Sequence, residues 1–92
     1  MATKDKKETD REEAQTVHNA ATHNRDRIVR SKKCGCYYCE HIFPAAKVTP
    51  DHFYKDSTAC CPICEMDTVI GDASGLDITP ELLRRMHIYW FD

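Results

Sequence analysis

The chain has 92 residues, six of them cysteine, with 30% charged residues and a formal net charge of −2. That size allows one small domain, whose modest core often needs a staple; a dedicated nucleic-acid binder usually shows a dominant basic face, and the acidic cysteine-bearing part of this chain argues against that. No run of about 18 apolar residues occurs and the N-terminus lacks an apolar signal core, so no membrane span and a cytoplasmic setting are expected.

Charge is unevenly spread along the chain. Residues 1–24 carry four basic and five acidic side chains; residues 25–33 carry Arg25, Arg27, Arg30, Lys32 and Lys33 against Asp26; residues 40–92 carry four basic and nine acidic ones. Residues 1–8 read as a charged, flexible tail. Thr9 and Glu12 fit a capping box that opens an N-terminal helix over residues 9–33, a span with no Gly or Pro. Within it Ala14, Val17, Ala21, Asn24 and Ile28 recur at helical spacing. The stripe is thin, so a free helix would be marginal. It must lie on the rest of the chain, on a partner, or on a second copy in a helix-mediated dimer. The basic run from Arg25 to Lys33 suits the C-terminal end of a helix dipole; the alternative reading is a set of phosphate contacts on nucleic acid.

Cys34-Gly35-Cys36 closes the helical region. Ile42-Phe43-Pro44 and Thr68-Val69-Ile70 read as short strands, and Gly71 to Thr79 as a loop. Thr79 is then an N-cap with Pro80 at the first helical position. Leu82, Leu83, Met86, Tyr89 and Trp90 share a helical face, so a second helix is expected from Pro80 to Trp90. Tyr89, Trp90 and Phe91 read first as core packing for that helix and second as a partner surface, where Trp and Tyr dominate.

The cysteines carry the chemistry. Cys36-Tyr37-Tyr38-Cys39 and Cys61-Pro62-Ile63-Cys64 are two C-x-x-C pairs. Each spacing lets the chain turn tightly so that two sulfurs face one ion, and four thiolates complete a tetrahedron around a structural Zn²⁺. A reducing compartment favours metal over disulfides; iron in the same four-sulfur site is the related alternative. Cys34 and Cys60 are left over. They read as packing thiols, with replacement ligands or a redox pair as the sharper alternative. His41 and His52 lie nearby, but with four well-placed cysteines they read as solvent or packing histidines.

These motifs also carry a resemblance. Cys34 to Cys39, Ile42-Phe43-Pro44, Cys61 to Cys64, Asp67 to Gly71 and the ending Ile78 to Phe91 resemble a family of small bacterial proteins known only as cytoplasmic proteins. The resemblance implies a zinc-ribbon-like module with a C-terminal helix and a cytoplasmic home, and no activity. Glu65 stands where such turns often carry Gly, which takes left-handed backbone more easily.

Asp72, Ser74, Asp77 and His87 are residue types used by hydrolases, yet no spacing joins them and no G-x-S-x-G turn is present. A closed four-cysteine zinc keeps no position for water, so the chain is not expected to be an enzyme. The reading is an α+β protein: a small zinc-ribbon-like β-hairpin module over residues 34–92, flanked by an N-terminal and a C-terminal helix. It is expected to engage a protein partner, with nucleic-acid binding and thiol redox sensing as the alternatives.

Overall fold

The computed structural model describes residues 6–91, and the side chains of residues 11–91. It is an α+β fold: a three-stranded antiparallel sheet with helices at both ends. The helices are α1 (Lys6–Ala20), α2 (Arg25–Arg30) and α3 (Pro80–Phe91), and the strands β1 (Lys33–Cys36), β2 (Ile42–Pro44) and β3 (Val69–Gly71), in sheet order β2-β1-β3. Of the tail expected over residues 1–8, Met1–Asp5 lie outside the described residues. The helix already includes Lys6, ahead of the expected cap at Thr9, whose side chain also lies outside the described residues.

The sheet has two working faces, set by the period-two alternation of strand side chains. Ile70 packs with Ala14, Val17 and Ala20 of α1, with Ala21 just past it, and with Leu82, Leu83 and Met86 of α3. Cys34, Cys36, Phe43 and Val69 point the other way and pack with Ile28, Val48, Ala59 and Cys61. Gly35 faces the helices. A Cβ there would sit 2.9 Å from Ile78 Cγ2 and 3.0 Å from Leu83 Cδ1, so glycine is what lets α3 lie close on the middle strand.

The single helix expected over residues 9–33 is two helices with a corner between them. Thr22-His23-Asn24 has poor helix propensity, and His23 takes a left-handed φ of 47°. The corner has a packing consequence. All five stripe residues are buried, but Ala14, Val17 and Ala21 lie on the helical face while Ile28 has crossed to the cysteine face. A straight helix could not serve both.

Asn24, the weakest member of the stripe by composition, pins this corner. It is 1% exposed. Its amide donates to the carbonyls of Ala20 (3.0 Å) and Val69 (2.8 Å), and its Oδ1 accepts from the Ala59 N–H at 3.0 Å. One side chain thus ties α1, β3 and the loop before the second cysteine pair.

Cys34-Gly35-Cys36 does not end the helix; it is the central strand. β1 pairs with β2 (Cys34 opposite Phe43) and with β3 (Gly35 opposite Ile70). Its sequence has no β-branched residue, so flanking partners and burial, rather than local preference, make it a strand. Thr79 caps α3 as expected, its hydroxyl accepting from the Leu82 N–H at 3.1 Å. Arg85 of α3 grips Glu13 of α1 through two hydrogen bonds of 3.0 and 2.9 Å.

Candidate metal centre

Each C-x-x-C pair forms a tight turn closed by the same two backbone bonds. In the first, the Glu40 N–H donates to the Cys36 carbonyl at 2.7 Å and the Cys36 N–H to the His41 carbonyl at 3.0 Å. In the second, Glu65 donates to Cys61 at 2.9 Å and Cys61 to Met66 at 2.8 Å. The residue after the second cysteine is left-handed in both, with φ of 65° at Glu40 and 70° at Glu65. Glu65 therefore occupies the glycine-favouring position its sequence context marks. At Glu40 the side chain reaches Arg84 of α3 at 3.1 Å.

The first turn forms the tip of the β1–β2 hairpin. The second lies just before β3, and the 3.1 Å bond from Tyr37 N–H to the Thr68 carbonyl holds it beside the first. The intervening chain makes two single 3-10 turns, Ala45–Lys47 and Pro50–His52, and a bridge between Phe53 and Ala59. The result gathers Cys36, Cys39, Cys61 and Cys64, whose sulfurs all lie within 4.8 Å of one another.

This donor set fits a tetrahedral metal. A metal–sulfur bond of about 2.3 Å implies sulfurs about 3.8 Å apart in a regular tetrahedron. Cys36 and Cys64 are 3.6 Å apart, and Cys39 and Cys61 3.7 Å. Backbone and side-chain donors already point at the sulfurs. The N–H groups of Ile63 (3.3 Å) and Cys64 (3.4 Å) donate to Cys61 Sγ, those of His41 and Met66 to Cys39 and Cys64, and the Thr68 hydroxyl lies 3.1 Å from Cys36 Sγ.

Proton affinities follow from these contacts. Burial opposes ionisation at Cys61, yet the Cys64 and Ile63 N–H groups, together with the Cys39 and Cys64 thiols, outweigh it and bring this thiol below its ordinary value. Burial pushes Cys39 up to about 11 and Cys64 up as well; the neighbouring Cys36 adds to both, against one N–H each. Four thiols this close cannot all ionise without a cation. A divalent ion reverses that balance and makes all four thiolates.

Cys34 and Cys60 stand outside the group. Cys34 is fully buried among Ile28, Phe43 and Val48, and burial, with Asp72 adding, raises its thiol to about 12. Cys60 is half-buried and donates its N–H to the His52 carbonyl at 2.7 Å. His41 is exposed and His52 folds back so that its Nδ1 accepts from Thr49 N–H at 3.0 Å; neither joins the sulfurs.

The other singled-out residues scatter. Asp72 accepts from the Lys32 N–H at 2.9 Å, Ser74 donates to the Gly71 carbonyl, and the His87 ring donates to the Tyr37 carbonyl at 3.2 Å. Arg25 stacks over Phe53, its guanidinium carbon 4.9 Å from the ring centre. Arg30, Lys32 and Lys33 are exposed, and Arg27 is half-buried; none of the five basic residues forms an ion pair among the described residues.

Tyr89, Trp90 and Phe91 are not core. The buried face of α3 ends at Met86, and the three rings stay 37–42% exposed. They lean on the surface instead: Trp90 on His18 at 5.2 Å and Phe91 edge-on to Tyr38 at 4.9 Å. Helical spacing alone could not show this, because it groups Tyr89 and Trp90 with Leu82, Leu83 and Met86, of which only the last three are buried. No helix among the described residues is long and apolar enough to cross a membrane. Comparison of the chain with protein-family models, with curated proteins and with solved structures gives no match.

Proposed function

We propose that this chain is a zinc-stabilised docking module: one zinc, held by Cys36, Cys39, Cys61 and Cys64, braces a surface that engages another protein. The observation carrying this reading is that two matching turns enclose four sulfurs while the rings of Tyr38, Tyr89, Trp90 and Phe91 stay exposed. Four thiolates saturate zinc and leave no position for water or substrate, so the ion has a structural role. Half-exposed Trp and Tyr side chains are the residue types that dominate protein interfaces. The zinc-ribbon-like resemblance and a cytoplasmic setting belong to this reading.

Affinity capture from the native cells, with and without nuclease, tests it. A protein partner that survives nuclease and is lost on Trp90→Ala, with the fold unchanged by circular dichroism, supports docking. Partners lost on nuclease, or held equally by Trp90→Ala, contradict it.

A second reading, nucleic-acid binding, is favoured by Arg30, Lys32 and Lys33, which are exposed without ion pairs among the described residues. Its mark is affinity that falls steeply as salt rises. Redox sensing through Cys34 and Cys60 has less support, since a fully buried thiol raised to about 12 is a poor nucleophile.

A further inference from the structure

Between the second cysteine turn and the C-terminal end of α3 lies a groove lined by His18, Tyr37, Met66, Asp67, Trp90 and Phe91, with a volume of about 230 Å³. That is below the ~300–1,000 Å³ of small-molecule sites, so it has room for one side chain rather than a cofactor. No Lys or Arg lines it; the one carboxylate is that of Asp67. Asp67 is exposed, and its carboxylate makes no ion pair among the described residues. The buried ring of Tyr37 also lines the groove.

We propose that this groove takes the cationic side chain, Lys or Arg, of a segment on a partner protein, with Asp67 as counter-charge and Trp90 and Phe91 as walls. The proposal rests on the docking reading above and names the chemistry of the partner. Three features favour a cation. Residues 40–92, which supply most of the lining, carry nine acidic side chains against four basic ones in the sequence. Aromatic walls attract a cation through their quadrupoles while covering its aliphatic stem. The walls are ordered in advance, Trp90 against His18 at 5.2 Å and Phe91 against Tyr37 and Tyr38 at 6.1 and 4.9 Å, which lowers the ordering cost of binding. An apolar occupant would bury the Asp67 carboxylate without a partner, which is unfavourable.

Trp90 is the one tryptophan in the chain, so its indole N–H resonance reports the groove. The probes are acetylated, amidated Gly-Gly-X-Gly-Gly peptides with X as Arg, Lys, norleucine or Glu, titrated into the full chain. The proposal expects saturable shifts at Trp90 and at the Met66 and Thr68 amides for Arg and Lys, and much weaker binding for norleucine and Glu. Asp67→Asn should weaken the Arg peptide about five-fold, the equivalent of losing one half-exposed ion pair, while the exposed Asp51→Asn leaves it unchanged. Norleucine binding as well as Arg, Asp67→Asn binding like the parent chain, no saturable shift with any peptide, or shifts that follow protein concentration alone would each overturn it; the last points to a second copy in the groove. A natural partner captured equally by the parent chain and by Asp67→Asn keeps the docking reading and ends this one.

Discussion

The two faces of the sheet are built on different principles. On the helical face, ten buried side chains, mostly aliphatic, pack in the ordinary way and hold α1 and α3 on β1 and β3. On the other face, three buried cysteines share the interior with Ile28, Phe43, Val48, Ala59 and Val69, and two more partly buried ones pack against them. Hydrophobic burial of about 25 cal/mol per Å² stabilises the first. The second gathers four sulfurs whose full ionisation needs a cation, so an ion held there would couple its stability to metal. The contrast teaches that losing a side chain on one face and losing the ion on the other should fail differently.

The largest effect is expected on the cysteine face. Removing the ion by chelation, or replacing a ligand by Cys61→Ser, should forfeit much of the roughly 10–16 kcal/mol that such metal binding contributes to folding. Amide exchange should show the Glu40, Cys61 and Glu65 N–H groups losing protection first, ahead of those in α1 and α3. If the helices open first, the division between the faces is mistaken.

Leu83→Ala strikes the helical face. Leu83 is fully buried and meets the sheet over Gly35. Its truncation should cost about 2–5 kcal/mol in denaturant unfolding, while metal content at low temperature stays at one ion per chain. Loss of the ion from this variant would show that the faces are not separable.

Asn24→Ala tests the joint between them. It leaves the Ala59 N–H without its acceptor and the Val69 carbonyl without the amide donor, a cost of about 1–3 kcal/mol for each group left unsatisfied in the interior. Metal affinity should fall along with stability, because Ala59 leads directly into Cys60 and Cys61.

The smallest effect separates the two cysteine turns. Glu65→Gly relieves a left-handed non-glycine residue whose φ is 70° and should stabilise by about 1 kcal/mol. Glu40→Gly relieves the same strain but loses the contact with Arg84, so its net change should lie near zero. Paired thermal melts of the metal-loaded variants read the difference.

How much of this the sequence disclosed follows the same division. The four sulfurs, the cap and length of α3, and the five stripe residues that become buried were all legible, because each depends on local spacing. The corner at His23 was not, since neither Gly nor Pro marks it; the run of three poor helix formers was the available signal. β1 was hidden because Cys34-Gly35-Cys36 becomes a strand only through its neighbours. Asn24 looked like a defect in an apolar stripe, and its value appears only when Val69 and Ala59 arrive from more than thirty residues away. The exposure of Trp90 and Phe91 depends on what the last turn of α3 meets in the fold, which no local pattern encodes.

Cys36, Cys39, Cys61 and Cys64 are expected to hold one ion, and Cys34 and Cys60 to stay outside it. Cobalt substitution tests it most directly, because thiolate-to-cobalt charge-transfer bands report bound sulfurs and the visible bands report tetrahedral geometry. The expected result is one equivalent of tetrahedral, four-sulfur cobalt, displaced by zinc, kept by Cys34→Ser and Cys60→Ser and altered or lost in Cys36→Ser, Cys39→Ser, Cys61→Ser and Cys64→Ser. No stoichiometric uptake, or a Cys60→Ser spectrum changed as much as that of Cys61→Ser, would contradict it.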